Sequence, residues 1–361
     1  MNLFFRFVFL LILSHYSVFI SHCYSQQFSH AIYLIGDCGK DTATNQNLLN
    51  LQKELLANPN STAIFLGDNI YPVGLYSGKK SSKKFNISEK KLLTQLSLLD
   101  KYKGNVFFVP GNHDWKSGKA GGLKTVNTEE KYIESYLDNT LVRNKSEANF
   151  LPQSGLPGPS YVRLNNKIIL IVIDLQWWLH RQLFRKVGDN GNKKAAENYF
   201  FTKLNSLLEI AKENGETAII AAHHPLFSNG HHGAKKQPLR FLINWTPLKI
   251  FGWLGLDRML LQDIEQPRYK RLKKKLLAII DKYENVIYAA GHEHNLQYYI
   301  HKKNHFIVSG SGSKLSKFKH DTYRPLYAND TEKGFFAIYF YDDGSKKVDV
   351  LLEKSGKRTI P

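Results

Sequence analysis

Side chains that can bind metal ions follow short apolar segments at five places in this 361-residue sequence. In each place the polar residue comes directly after a glycine or alanine, and glycine lets the chain turn sharply. The motifs are Gly36-Asp37, Gly67-Asp68-Asn69-Ile70-Tyr71, Gly111-Asn112-His113-Asp114, Ala222-His223-His224 and Gly291-His292-Glu293-His294. Carboxylate, amide and imidazole ligands without paired cysteines favour iron, manganese or zinc. One such aspartate would indicate only a turn, but five motifs in succession indicate a metal site.

The segments that carry these motifs have the composition of buried β-strands. They are short and rich in β-branched and aromatic residues, and they lie at 31–37, 62–69, 105–114, 167–174, 217–224 and 285–294. Helical patterns occupy 45–57, 89–102, 128–141, 195–214 and 269–283. This alternation predicts an α/β fold whose strands bring polar residues to one edge. After His294, three hairpin-like segments predict an antiparallel sheet that closes the domain.

The order of the motifs resembles that of the calcineurin-like metallophosphoesterase superfamily, in which GD, GDxx, GNHD, H and GHxH follow one another. Within that superfamily, residues 36–39 and 67–71 are similar to motifs of the purple acid phosphatases. GHEHNLQYY at 291–299 is similar to the small, tartrate-resistant type. The resemblance implies a four-layer fold, in which two facing sheets are flanked by helices and a dinuclear metal site lies at the C-terminal strand edges.

The resemblance also implies how two metal ions share their ligands. The implied ligands are Asp37, Tyr71 and His294 for one ion, Asn112, His223 and His292 for the other, and Asp68 as the bridge. A phenol with a pKa of about 10 ionises at neutral pH only beside a strongly Lewis-acidic ion, so a Tyr71 ligand indicates Fe³⁺. The other position suits Fe²⁺, Zn²⁺ or Mn²⁺. Without Asp68, Tyr71 would be interpreted as a loop aromatic before Pro72.

Two histidines are candidates for contact with the substrate. His113 directly follows an expected ligand, and His232 lies nine positions after His223, as the substrate-side histidine of purple acid phosphatases does. Either could bind phosphoryl oxygens or protonate the leaving group. Asp114 is expected to orient His113 by binding its second nitrogen.

Two ions about 3.5–4 Å apart would clamp a phosphate and activate water. The resemblance to purple acid phosphatases and the Tyr71 ligand that it implies favour phosphate monoesters as the substrates. The alternative on the same scaffold is a metal-dependent phosphodiesterase or nucleotide hydrolase. A non-catalytic surface-binding protein that retains this scaffold is a further alternative, which the complete ligand set disfavours.

The N-terminal sequence has the pattern of a secretory signal, with Arg6 before an apolar run that ends near Ser25. We therefore expect residues 1–25 to be removed and 26–361 to form one exported domain, periplasmic or secreted. A membrane anchor at 7–20 and lipid attachment at Cys23 are weaker alternatives. Removal of residues 1–25 would leave Cys38 as the only cysteine, where the small phosphatases usually carry an aromatic residue.

A net charge of +19 favours anionic partners, here phosphorylated small molecules or proteins. The lysines are not interleaved with aromatic residues, so nucleic acid is not expected as a specific partner. An insertion at about 233–268, absent from the compact family form, contains the apolar segment 241–261. That segment is interpreted as a packed excursion over the core, with a substrate lid or a membrane-surface contact as alternatives. The sequence does not indicate an oligomeric state.

Overall fold

The structure is a computed structural model that describes residues 28–140, 148–180, 193–231, 264 and 266–361. Four features predicted from the sequence lie outside the described residues. They are the signal segment 1–25 with Cys23, His232, the apolar segment 241–261 and most of the insertion at 233–268.

Thirteen strands form two sheets in the described part of the chain. They are β1 (His30–Ile35), β2 (Ser61–Phe65), β3 (Asn105–Phe108), β4 (Ser160–Asn165), β5 (Ile168–Val172), β6 (Thr217–Ala221), β7 (Ile287–Ala290), β8 (Leu296–His301), β9 (Asn304–Ser309), β10 (Tyr327–Asn329), β11 (Gly334–Phe340), β12 (Lys346–Leu352) and β13 (Gly356–Ile360). The first sheet has the order β13-β12-β11-β1-β2-β3, and the second has the order β10-β8-β9-β7-β6-β5-β4.

Helices in the described ranges lie between these strands. They are α1 (Gln46–Ala57), α2 (Lys83–Leu96), α3 (Gly122–Thr140), α4 (Leu175–Leu179), α5 (Lys193–Glu213) and α6 (Pro267–Ile280). Short 3-10 turns occur at Ser97–Leu99, Lys116–Gly118 and Gln153–Gly155. None of the helices that the structure describes is long and apolar enough to cross a membrane.

Alternate side chains of the central strands point into two different buried layers. Along β1, Ile32 and Leu34 pack between the two sheets, where residues such as Ile219 of β6 meet them. Ala31, Tyr33 and Ile35 of the same strand face the helical side, in the cluster that contains the apolar residues of α1. Because successive side chains of a strand point to opposite faces, a strand covered on both sides must be apolar throughout. The expected four-layer α/β fold is confirmed.

Parallel strands at the centre of each sheet determine where the motifs meet. β1, β2 and β3 are parallel neighbours in the first sheet, and β5, β6, β7 and β9 are parallel in the second. The segments after β1, β2, β3, β6 and β7 therefore leave the sandwich at a common edge. Ligands of α/β sheets bind outside the carboxyl ends of such strands.

The prediction that the strands after His294 form one antiparallel sheet is wrong. β9 joins the second sheet, parallel to β7 and antiparallel to β8, whereas β11, β12 and β13 extend the first sheet. The hairpin pattern identified the strands but not the sheet that each one joins, because that choice depends on contacts with strands distant in sequence.

Several helices begin earlier than their apolar periodicity predicts. α2 begins at Lys83, six residues before the predicted start, because the Ser82 hydroxyl accepts a hydrogen bond from the backbone nitrogen of Phe85 at 3.2 Å. α3 begins at Gly122, six residues before the predicted start. α1 begins within one residue of its predicted start, and the Asn45 side chain accepts a hydrogen bond from the backbone nitrogen of Leu48 at 2.9 Å.

Candidate metal centre

The motifs of the sequence converge where the parallel strands end. Asp37 follows β1, Asp68 follows β2, and His292 follows β7. These three residues have positive φ angles of 60°, 54° and 71°, a conformation that is uncommon for residues other than glycine. Such backbone strain persists where surrounding structure enforces it, and it concentrates at functional sites.

One group of ligand atoms surrounds the Tyr71 hydroxyl. This hydroxyl donates a hydrogen bond of 2.6 Å to Asp37 Oδ1 and lies 3.1 Å from Nε2 of His294. The distance between Asp37 Oδ1 and His294 Nε2 is 3.5 Å. A carboxylate, a phenol and an imidazole from three separate loops thus meet at one point.

A second group surrounds the side-chain oxygen of Asn112. Asn112 Oδ1 lies 3.0 Å from Nε2 of His223 and 3.0 Å from Nδ1 of His292. The two imidazole nitrogens are 3.2 Å apart. The side chains that were predicted to share the second ion therefore lie together.

Asp68 lies between the two groups. Its Oδ1 atom is 3.4 Å from His223 Nε2 in the second group, and its carboxylate also interacts with the Tyr71 hydroxyl in the first. This is the position that a bridging carboxylate would need.

The spacing and burial of these atoms fit metal binding. Ligands about 2.1 Å from a common ion lie about 3–3.4 Å apart, which matches the 3.0–3.2 Å separations of the second group. The first group spans 2.6–3.5 Å, because the Tyr71 hydroxyl is drawn close to Asp37 by a hydrogen bond. Ligand atoms of Asp37, Asp68 and His223 all lie within 4.8 Å of one another, and all three residues are buried. Oxygen and nitrogen ligands of this kind suit iron, zinc or manganese.

Electrostatics also favour a bound cation. Burial, reinforced by the charge of Asp68, raises the pKa of Asp37 to about 7. Burial and the charges of Asp37 and Asp68 raise the pKa of Tyr71 well above its ordinary value. Burial alone would lower the pKa of His223, but the neighbouring carboxylates raise it to about 10. A cation placed among these groups would replace the protons that otherwise balance their charge.

The family model for calcineurin-like phosphoesterases matches residues 30–296. The chain belongs to this family. The family and the ligand cluster together support a dinuclear metal site and metal-dependent hydrolysis of phosphoesters. A comparison with curated proteins found no match.

Two solved structures share the fold of this phosphoesterase. A dimetal phosphatase from Danio rerio is 11% identical, with a TM-score of 0.54, and the match covers 92% of this chain and 99% of that one. GAP50, described as the anchor in the inner membrane complex of Plasmodium, is 14% identical with a TM-score of 0.50; the match covers 92% of this chain and 89% of that one. At these identities the likeness shows the fold alone.

Hydrogen bonds fix the orientation of the phosphoesterase's histidines. Nδ1 of His223 bonds the backbone oxygen of Leu66 at 2.8 Å, which directs Nε2 towards Asn112. Nδ1 of His294 bonds the Ser316 hydroxyl at 3.1 Å, which directs Nε2 towards Tyr71. Such bonds set the tautomer and orientation of metal-binding imidazoles.

His113 lies on the solvent side of the cluster, with 28% of its side chain exposed. Its Nδ1 atom bonds the backbone oxygen of Pro72 at 2.6 Å, and its Nε2 atom is 3.8 Å from Asp68 Oδ2. The ring also lies 4.4 Å from the Tyr71 ring, measured between centroids. His113 is therefore placed to reach a ligand that enters from solvent.

The expectation that Asp114 orients His113 is wrong. The Asp114 carboxylate accepts hydrogen bonds from the backbone nitrogens of Gly111 at 2.7 Å, Asn69 at 3.2 Å and Ile70 at 3.1 Å. Burial, reinforced by the nearby Glu129, raises the pKa of Asp114 well above its usual range. Asp114 thus joins the loop that carries Asp68 to the loop that carries Asn112. The backbone oxygen of Pro72, and not Asp114, binds Nδ1 of His113.

Lys314 is a residue of the site that the motifs did not reveal. Its ammonium nitrogen lies 3.1 Å from the centroid of the Tyr71 ring, a cation–π contact. Burial lowers the pKa of Lys314, whereas Asp37 and Asp68 act in the opposite direction. The Gly-Ser-rich run GSGSK at 310–314 directly follows β9. Like the metal-binding motifs, Lys314 therefore comes soon after the end of a strand, and this position could have indicated it as a residue of the site.

Gly67 provides a test of how tightly the site is packed. Its φ is +87°, and an added Cβ atom would lie 2.8 Å from both His223 Nδ1 and the backbone nitrogen of Gly111. We expect Gly67→Ala to displace His223, reducing both metal content and kcat/KM by about tenfold or more. Metal analysis and a phosphatase assay would measure these effects.

Gly344→Ala is the matched control, because Gly344 has a φ of +84° and an added Cβ atom there would have no heavy atom within 4 Å. Both variants should lose about 1–2 kcal/mol of stability from the left-handed backbone alone. Full metal content in Gly67→Ala, or equal loss of activity in Gly344→Ala, would contradict the expected displacement.

Proposed function

We propose that this phosphoesterase hydrolyses phosphate monoesters in the manner of the purple acid phosphatases, with Fe³⁺ and a divalent ion, either Fe²⁺, Zn²⁺ or Mn²⁺. The observation that carries the proposal is the contact of the buried Tyr71 hydroxyl with both Asp37 and His294. A phenol in this acidic, buried position would lose its proton only beside a strongly Lewis-acidic ion. That requirement favours the ferric ion.

The ligand assignment is part of the proposal and follows the two observed groups. Asp37, Tyr71 and His294 would hold the ferric ion, and Asn112, His223 and His292 would hold the divalent ion. Asp68 would bridge both, since it contacts His223 and Tyr71. When bound, the two ions supply Lewis acidity and an activated water for in-line displacement.

The chain's own residues would bind and orient the phosphate. The bond from Nδ1 of His113 to Pro72 leaves its Nε2 atom facing the Asp68 side, where it could donate to a phosphoryl oxygen or to the leaving group. The ammonium group of Lys314 adds positive charge beside Tyr71. His232 remains a second proposed substrate contact, outside the described residues.

We propose that the enzyme acts outside the cytoplasm on a phosphorylated small molecule or protein. The support is the signal-like sequence at 1–25 and the excess of positive charge, +19 over the whole chain, which attracts anionic substrates. Contact of the 241–261 segment with a membrane surface remains an additional proposal from sequence.

The deciding experiment compares 4-nitrophenyl phosphate with bis(4-nitrophenyl) phosphate, using protein loaded with iron plus zinc. We expect kcat/KM for the monoester to exceed that for the diester by about tenfold or more at acid or near-neutral pH. A preference for the diester would support the phosphodiesterase alternative. Hydrolysis of neither compound by fully loaded protein would favour a non-catalytic binding protein.

A further inference from the structure

A cavity of about 920 Å³ opens on the helical side of the second sheet. Its wall is formed by α6, by the segment after β6 at 225–228 and by the segment 319–323. Among the described residues, none of the seven proposed metal ligands lines it. The volume is within the range of small-molecule sites, about 300–1,000 Å³. The cavity is therefore separate from the metal centre and large enough for an organic ligand.

The wall carries an excess of positive charge. Lys270, Lys273, Lys274 and Lys319 line the cavity, and Asp281 is the only acidic residue among the described residues of the wall. Oδ2 of Asp281 pairs with Lys302 at 2.9 Å, outside the cavity, whereas its buried Oδ1 atom has no hydrogen-bond partner within the described residues. Helix α6 contributes three of the four lysines and contains no acidic residue. The cavity thus offers several cationic donors to an anionic ligand.

One of these cations is held in place by aromatic side chains. The Lys273 ammonium nitrogen lies 5.0 Å from the Phe227 ring centroid and 4.9 Å from that of Tyr323. It also donates a hydrogen bond of 3.0 Å to the Tyr323 hydroxyl. Because these contacts restrict the long side chain, less conformational entropy would be lost when an anion binds to it.

His320 is the residue of the wall that most directly indicates a polar ligand. Both of its ring nitrogens are buried, and neither has a hydrogen-bond partner within the described part of the chain. Buried polar atoms of this kind normally have a partner, because leaving one unpaired costs about 1–3 kcal/mol. A ligand in the cavity could supply that partner.

Apart from the hydroxyl groups of Ser228 and Thr322, the remaining wall is mainly apolar or aromatic. Leu226, Leu277 and the buried Tyr269 line it beside the lysines. Small-molecule sites commonly combine such surfaces with a few polar groups that set orientation. Inorganic phosphate alone would leave this apolar surface uncovered.

We propose that the cavity binds a small organic anion, whose phosphate, sulfonate or carboxylate group meets the lysines and His320 and whose apolar body packs on Leu226 and Leu277. The wall includes the segment that follows the proposed ligand His223. The Tyr269 hydroxyl donates a 2.6 Å hydrogen bond to the backbone oxygen of Pro225, two residues after the proposed ligand His223.

Isothermal titration calorimetry tests this site. The anionic ligand is 2-naphthalenesulfonate, and the uncharged comparison compound is 2-naphthalenemethanol. The full protein is loaded with metal and saturated with inorganic phosphate, so that the metal centre is occupied. We expect saturable binding of one sulfonate per chain, with the neutral alcohol at least about tenfold weaker. No saturable sulfonate binding, or equal binding of the alcohol, would overturn the proposal.

A double variant, Lys274→Gln with Lys319→Gln, locates the site. We expect it to weaken sulfonate binding by about tenfold and to leave phosphatase activity unchanged in the absence of the sulfonate. The matched control is Lys275→Gln, on the same helix, whose ammonium pairs with Glu197 and does not line the cavity. Equal affinity in the double variant and the control would place the sulfonate elsewhere and reject this cavity.

Discussion

Asp68→Asn should reduce kcat/KM for a phosphate monoester by about a thousandfold and leave the protein with one metal ion or none. The two ligand groups each contain their own imidazole, whereas the Asp68 carboxylate lies 3.4 Å from His223 in the second group and interacts with the Tyr71 hydroxyl in the first. Although burial by itself raises its pKa, His223 and His113 hold the pKa of Asp68 well below its usual range. The native residue is thus a full negative charge between two cation positions, and an amide would remove that charge while keeping the shape.

The measurements are metal content by mass spectrometry and kcat/KM, with thermal unfolding to show that the fold is retained. Glu216→Gln is the control for loss of a buried carboxylate, which in the native protein pairs with Arg163 at 2.7 Å. Glu216 precedes β6 and the proposed ligand His223 follows it, so the control lies at the opposite end of that strand from the metal centre. We expect the control to retain both metals and activity. Full metal content and activity in Asp68→Asn would refute the bridging role.

Tyr71→Phe should abolish the visible absorption band that a ferric phenolate would give to the iron-loaded protein. Phenylalanine retains the ring that packs 4.4 Å from His113, between centroids, and beneath Lys314. It removes only the hydroxyl that contacts Asp37 and His294. The effect is specific to an oxygen–iron bond, so the spectrum tests metal identity and ligand assignment together.

The control for this spectrum is Tyr132→Phe, which removes a hydroxyl that donates to Glu89 at 2.9 Å, away from the ligand groups. It should keep the band of the wild type. Iron-loaded wild type without a visible band, or a band that survives in Tyr71→Phe, would reject the ferric phenolate. Neither result would affect the assignment of the chain to the phosphoesterase family.

The sequence by itself determined the fold class and the residues of the candidate site. The apolar strands had to be buried, and each ended in a polar motif, so the residues after β1, β2, β3, β6 and β7 could be expected at one edge. The structure places Asp37 beside Tyr71, and Asn112 beside His223, in the groups that the resemblance implied. Short-range patterns were sufficient here because each motif directly follows its own strand.

Only the tertiary structure decided which groups meet across long sequence separations. Asp114 is adjacent to His113 in the chain, yet its carboxylate binds backbone nitrogens of the 69–70 loop. Lys314 reaches Tyr71 from 243 positions away, and the lysines of α6 share a cavity wall with Lys319 and His320. Local periodicity cannot predict such contacts. It identifies helices and strands one at a time, whereas these contacts depend on how several elements pack together.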